Sequence, residues 1–405
     1  MGQGLWRYSL FGGVLSAAGL PIYIHAPKFY VDSYGVSLAA LGGVLFLLRL
    51  IDVVQDPLFG WMTERFREYR AELVGLGGVV MALSMIGLFA ITPPVAPTLW
   101  FALTLTGLFS GFSLMTIAFY TQGVLKAEGM GAKGHTRLAT WRETGALLGV
   151  SLATLAPVLL AFSGAPFTAY AVLFAGLALL AIVAMSGEWG TDSLEAGTPL
   201  STVLRDPTAR RLLLIALMNA TPVAITSTLF LFFVESRLGA PDLAGPLLLA
   251  FFVAAAVSAP IWGTLARQNG EKRMLIAAMV LAIASFVWAL TLGTGETLPF
   301  LLICLASGAA LGADLTLLPA MFAARMGKVA PNAGQAFGIW SFVNKFALAF
   351  AAIALLPLLE ARGFQSGLDN TSQALWTLSA LYAGIPCVLK LVALGLLVAT
   401  PMEDD

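Results

Sequence analysis

Arg49, Asp52 and Asp56 stand in RLIDVVQDPLFGWMTER, residues 49–65, directly after the apolar run VSLAALGGVLFLL that begins at Val36. Spacings of three and four put these side chains on one helical stripe. With one positive and two negative charges the stripe cannot neutralise itself. Each ion at the centre of a bilayer costs about 2.5–3.5 kcal/mol on insertion scales, so such residues face a cavity or a partner. Two carboxylates on successive turns either bind a cation or hold a proton, because like charges at short range disfavour double ionisation. A structural alternative stands beside this: Arg49 pairs with one aspartate while the other reaches the cytoplasmic edge or caps a neighbouring helix. It weighs more on Asp56, eight residues before Glu64, than on the deeper Asp52.

Further ionisable residues lie in apolar surroundings: Arg142 and Glu143 in TWRETG, Asp314 in GADLTLLP, and Lys345 in FVNKFAL. Neighbouring helical residues point about 100° apart, so one of Arg142 and Glu143 can face a cavity while the other meets a loop. For Glu143, snorkelling to the cytoplasmic side weighs equally. Lys390 is expected to snorkel from the last apolar segment, and His25 to be a structural interfacial residue. Ser16, Tyr23, Tyr120, Asn219 and Asn344, with Thr121 and Gln122, supply polar groups for a solute or for helix-to-helix hydrogen bonds. Cys304 and Cys387 read as small buried hydrophobes rather than a disulfide or metal pair. The sequence has no H-E-x-x-H, G-x-S-x-G or glycine-rich phosphate loop, which argues against an enzyme, a metal or an organic cofactor.

The elements that position these residues are set by composition. Of the 405 residues 59% are hydrophobic and 11% charged, against about a quarter charged in soluble domains. Segments long enough to cross a bilayer centre on residues 5–26, 36–62, 73–93, 97–124, 138–163, 165–187, 211–234, 243–266, 274–293, 298–324, 335–358 and 374–400. The expectation is an all-α polytopic membrane protein with twelve transmembrane helices in two six-helix bundles. The first segment has no small-residue cleavage site and reads as a retained span. Connections after even-numbered spans hold fourteen Lys and Arg, and those after odd-numbered spans three, Lys28, Arg237 and Arg362. Positive loops stay cytoplasmic, so both termini are expected in the cytoplasm, with the chain in the cytoplasmic (inner) membrane. Zero net charge gives no reason to expect nucleic acid. A monomer in the lipid bilayer with a small-molecule substrate is expected.

A polar stretch from Ser186 to Arg211 separates six spans from six. It suggests bundles at residues 1–187 and 210–405 joined by a cytoplasmic linker at 188–209. FYVDS at 29–33 recurs as FFVES at 232–236, an offset of 203 residues, and Pro57 and Gly60 recur as Pro260 and Gly263 at that offset. Duplicated bundles of this kind rock about a site near the bilayer midplane, which implies transport. At the same offset Arg49, Asp52 and Asp56 meet Phe252, Ala255 and Ala259, so the stripe is a specialisation and not scaffold. Arg49, with Gly60, Glu64 and Arg65 in GWMTERFREYR, reads as part of a cytoplasmic gate and topology element, together with Arg67 and Arg70.

Taken whole, the chain resembles major facilitator superfamily transporters, with Glu64 where that superfamily's loop signature usually has aspartate. More narrowly, YVDSYGVSLAALGGVLFLLRLIDVVQDPLFGW resembles the glycoside-pentoside-hexuronide:cation symporters, the melibiose permease-like family. The resemblance implies a secondary active transporter that moves a sugar or glycoside-like solute by alternating access, coupled to H⁺ or Na⁺. It assigns Asp52 and Asp56 to cation coupling, Arg142 to substrate, and Lys345 to a charge partner near the cation. Ser16 stands where that family has a sugar-recognising aspartate, and Thr116 where it has an acidic cation residue. These departures keep open an exporter or a lysolipid or amphipathic-solute carrier of the same fold. Fewer carboxylates than in sodium-coupled relatives favour H⁺.

Overall fold

The computed structural model describes residues 4–36, 38–131, 133–189, 200–330, 334–364 and 370–401. All regular structure among these residues is helical. In chain order the helices are α1 (Leu5–Ala17), α2 (Leu20–Tyr34), α3 (Leu38–Arg65), α4 (Arg70–Phe89), α5 (Pro97–Glu128), α6 (Gly134–Leu159) and α7 (Pro166–Met185). A short α8 (Leu200–Arg205) follows, then α9 (Pro207–Phe232), α10 (Ala244–Asn269), α11 (Glu271–Phe286), α12 (Thr297–Val329), α13 (Gly334–Ala361), α14 (Ser372–Ser379) and α15 (Ile385–Val398). Proline opens α5, α7 and α9 at positions where its missing N–H costs nothing. Asp206 caps α9 by accepting from the Ala209 N–H at 2.7 Å, which satisfies one of the otherwise orphaned donors of the first turn.

Each of the twelve expected spans has its helix, and the fold is all-α and polytopic. Among the described residues, eight spans are by themselves long and apolar enough to cross a membrane. Two spans carry a junction between two α-helices. The first, expected over 5–26, is divided into α1 and α2. Gly19 precedes Pro21 there, a pairing that interrupts the hydrogen-bond ladder. In the last, a π turn at Ala380–Gly384 joins α14 to α15 just before Pro386.

The chain forms two compact units, one of Met1–Val203 with Met326–Phe342, the other of Leu204–Arg325 with Val343–Asp405. In the first, α1 packs against α6 at backbone contact distance. A Cβ on Gly145 would lie 2.0 Å from the Ser9 carbonyl oxygen, and one on Gly149 2.1 Å from that of Gly13, so this small-xxx-small seam accepts glycine alone. Tyr8, Phe11, Tyr30, Phe101 and Phe119 fill the core beside it. In the second unit, α12 closes on α10 in the same manner. A Cβ on Gly312 would meet the Ser258 hydroxyl at 2.3 Å and the Ala255 carbonyl at 2.6 Å. Phe233 and Tyr382 stack at 4.2 Å in that unit's core.

α3 is amphipathic in an inverted sense. Leu47, Leu50, Val54 and Leu58 are exposed, Val54 to 71%, whereas Asp52 and Asp56 are 3% and 0% exposed. Apolar residues outward and carboxylates inward is the arrangement that a hydrocarbon surround selects.

Candidate functional site

In the first unit the Asp56 carboxylate accepts hydrogen bonds from two hydroxyls. Ser113 of α5 donates to Oδ1, and Ser341 of α13 donates to Oδ2 at 2.8 Å. Asp52 lies one turn earlier, on the same buried face. The alternative that sent Asp56 to the cytoplasmic edge is corrected: with no exposure it is enclosed by helices. The side chains of Arg49 and Tyr23 lie outside the described residues.

The α1–α6 seam sets the second group in this unit, because Arg142 is three residues before Gly145 and its carbonyl oxygen lies 2.8 Å from a Cβ built on Gly12. From there the Arg142 Nε donates to Glu143 Oε1 at 2.7 Å, and the Tyr120 hydroxyl donates to the same oxygen at 2.9 Å. The guanidinium carbon is 3.7 Å from the Tyr120 ring centroid, a cation–π contact. Phe337 packs 5.3 Å from that ring. Arg142 Nη2 is buried and makes no hydrogen bond among the described residues. Snorkelling of Glu143 is therefore corrected: the residue is 6% exposed and turns inward because its sequence neighbour supplies the compensating charge. The 100° between adjacent positions is spanned by two long side chains that lean together.

Gly60 is buried, and Thr63 donates to its carbonyl at 2.9 Å. Glu64 accepts from the Gln335 backbone N–H at 2.7 Å and from its side-chain amide at 2.8 Å. This places a carboxylate on the first turn of α13, where the helix dipole favours negative charge. Arg65 is exposed. Arg70, read as a loop cation, is 2% exposed and donates to Gln122 Oε1 at 2.9 Å. Ser16 is half-buried on α1.

In the second unit Asn344 and Lys345 are half-buried on α13. Asp314 of α12 and Asn219 of α9 meet a residue that sequence reasoning sent to the interface. Lys390 of α15 donates to Asp314 Oδ2 and, at 2.6 Å, to Asn219 Oδ1. Snorkelling of Lys390 is corrected: it is 5% exposed, and a buried carboxylate and amide hold its ammonium. Its span runs on to Val398, so the head group is two turns short of the end. The available signal was an opposite charge, Asp314, deep in another span.

Near the end of α12, Arg325 grips Asp206, which precedes α9, through Nε at 3.1 Å and Nη2 at 2.5 Å. That ion-paired hydrogen bonding holds the Asp206 carboxyl below its ordinary range, with the Ala209 N–H adding to the effect.

Comparison with known proteins agrees with this architecture. Over 97% of its length the chain superimposes on a bacterial homologue of the iron transporter ferroportin in an outward-facing state, with TM-score 0.73, 14% identity and 98% of that chain covered. A second structure of such a homologue, soaked with iron, gives TM-score 0.69 at 16% identity, with 97% and 98% covered. At these identities the likeness is one of fold. No curated protein matches in sequence. The family model described as MFS/sugar transport protein matches residues 9–404, and the chain belongs to that family of membrane transporters.

Proposed function

We propose that the chain is a secondary active transporter that takes up a small sugar or glycoside-like solute with a coupling cation, H⁺ in preference to Na⁺, by alternating access. It would work as a monomer in the cytoplasmic membrane with both termini in the cytoplasm. The observation that carries this reading is the Asp56 carboxylate, without exposure and joined by the Ser113 and Ser341 hydroxyls, one turn from the buried Asp52. A hydroxyl can donate or accept at the same oxygen, so Asp56 can take up a proton while its serine partners reorient and the backbone stays in place. Protonating one carboxylate relieves the repulsion from the other.

For substrate, the reading assigns the cluster of Tyr120, Arg142 and Glu143. An aromatic face, a guanidinium with an N–H to spare and a carboxylate match the faces and hydroxyls of a sugar ring. Asp52, Asp56 and Lys345 take the coupling role; Ser16, Asn219, Asp314 and Asn344 are further substrate candidates.

Uptake into proteoliposomes under an imposed proton or sodium gradient tests the proposal. The Asp52→Asn, Asp56→Asn double variant is expected to lose gradient-driven accumulation while keeping solute exchange, and unchanged coupling in that variant refutes the mechanism. A lysolipid or amphipathic-solute carrier, working in export, is favoured by one residue, Ser16, which lacks the acid expected of a sugar site. Competition by lysolipids and not by sugars would decide for it.

A further inference from the structure

A cavity of about 70 Å³ in the second unit lies against the Asp314–Lys390 pair. Its remaining walls are mostly apolar, with Phe251, Ile283, Phe286, Leu311, Pro222 and Pro386 among them. Two hydroxyls also line it, and both are engaged on their own helices: Ser307 donates to the Ile303 carbonyl at 2.6 Å and Thr226 to the Val223 carbonyl at 3.1 Å. The polar pole is therefore the ion pair.

That pole is incomplete. Asp314 is 6% exposed, and its Oδ1 is buried with no hydrogen-bond partner among the described residues. Lys390 has three N–H donors, of which Asp314 Oδ2 and Asn219 Oδ1 take two. An acceptor and a donor thus stand side by side on a pair whose charges cancel. A cation entering the cavity meets the ammonium and an anion meets the carboxylate, and a further charge buried among such walls is costly. A hydrocarbon fits the walls but leaves Oδ1 unsatisfied. A polyol satisfies the pole but buries its other hydroxyls against phenylalanine and leucine. The matching group both donates and accepts at a single atom and carries an apolar body.

We propose that this cavity is a binding site for small neutral alcohols with an apolar tail, the hydroxyl donating to Asp314 Oδ1 and accepting from Lys390 Nζ. The site uses neither Asp52 nor Asp56 and does not depend on the coupling mechanism; it assigns Asp314 and Asn219 to this alcohol site in place of their candidacy as sugar ligands. The cavity exceeds the roughly 10–15 Å³ that one water needs, and a short chain of four or so carbons suits it better than a sugar ring.

The test uses the full-length protein in lipid nanodiscs with 4,4,4-trifluorobutan-1-ol as the probe, followed by ¹⁹F line broadening against empty nanodiscs. Saturable broadening that 1-butanol reverses is expected. Glycerol, n-butylammonium, butyrate and n-pentane should each need about tenfold or more higher concentration, the factor that one lost or mismatched hydrogen bond brings. The Asp314→Leu, Lys390→Leu double variant should lose the preference for 1-butanol over n-pentane. Should that variant misfold, Ser307→Leu fills the cavity from its wall without touching the pair and should abolish saturable broadening. Non-saturable broadening equal to that of empty nanodiscs would mean that water alone occupies the cavity. That outcome, or displacement by glycerol or n-butylammonium as effective as by 1-butanol, overturns the proposal.

Discussion

Replacing Lys390 by methionine separates a buried ion pair from a snorkelling lysine. Lys390 is 5% exposed and Asp314 6%, and Lys390 Nζ holds both Asp314 and Asn219. Methionine keeps most of the aliphatic stem, so the change is chiefly the loss of the ammonium. It leaves a buried carboxylate without its counter-ion and an amide oxygen without a donor. Removing one partner of a buried pair costs about 3–5 kcal/mol. Removing the second charge as well, with Asp314→Leu, eliminates the uncompensated ion and leaves only Asn219 short of a partner, a deficit of about 1 kcal/mol. Thermal unfolding of the purified full-length chain, in one detergent at one scan rate, should rank wild type first, the double variant close behind, and Lys390→Met well below both. If Lys390→Met melts with the wild type, the ammonium spends its time in the aqueous interface and the pair described above is wrong.

Three further outcomes follow from the geometry. Gly145→Leu puts a side chain where even a Cβ would be 2.0 Å from the Ser9 carbonyl, so α1 must leave α6; folded yield on size exclusion should fall, with a cost of at least about 1–3 kcal/mol from overpacking. Tyr120→Phe deletes the 2.9 Å hydrogen bond to Glu143 while keeping the ring against Arg142; in uptake kinetics it should weaken apparent solute affinity by about fivefold to tenfold, whereas Tyr120→Ala should do far worse. For Asp206, whose carboxyl is held below its ordinary 3.8 by Arg325, the folded state binds the proton less readily than the unfolded chain. Its stabilisation is therefore full above the unfolded value and is lost as pH falls through the folded one, so the stability gap between wild type and Asp206→Asn should be constant near neutrality and close in acid below about pH 4.

Hydropathy made the helices legible, since a segment of some twenty apolar residues has few alternatives to crossing a bilayer. The break in the first span was harder to see. Gly19 and Pro21 are visible punctuation, but an apolar window averages over them. The inward face of α3 was readable from Asp52 and Asp56, because an ionisable residue cannot comfortably face hydrocarbon. The hydroxyl partners of Asp56 were not. Serines within helices usually bond back to their own carbonyls, as Ser151 and Ser307 do here, and nothing in the sequence marks Ser113 or Ser341 as different. Arg70 misled for a related reason. It opens α4 and resembles any topology-setting arginine, yet the long side chain turns back to Gln122, a contact fixed only once α4 and α5 are packed.

The two units use charge differently at positions related by the sequence offset. At the offset of 203 residues, Asp52 and Asp56 meet Ala255 and Ala259, both fully buried. Ala255 and Ala259 present their backbone to Gly312, at 2.6 Å and 3.1 Å from its built Cβ, so α10 and α12 are too close there to admit carboxylates. By the same offset Asn219 corresponds to Ser16 and Asp314 to Gly111. A Cβ on Gly111 would lie 2.5 Å from the Gly77 carbonyl, so in the first unit it is α4 and α5 that leave no space for a side chain. Asp52, Asp56 and Asp314 therefore stand where the other unit has brought helices into contact through small residues. Exchanging the two sets, with aspartates at 255 and 259 or at 111, would demand that a tight helix seam open. These three carboxylates consequently cannot be moved between the halves by side-chain substitution alone.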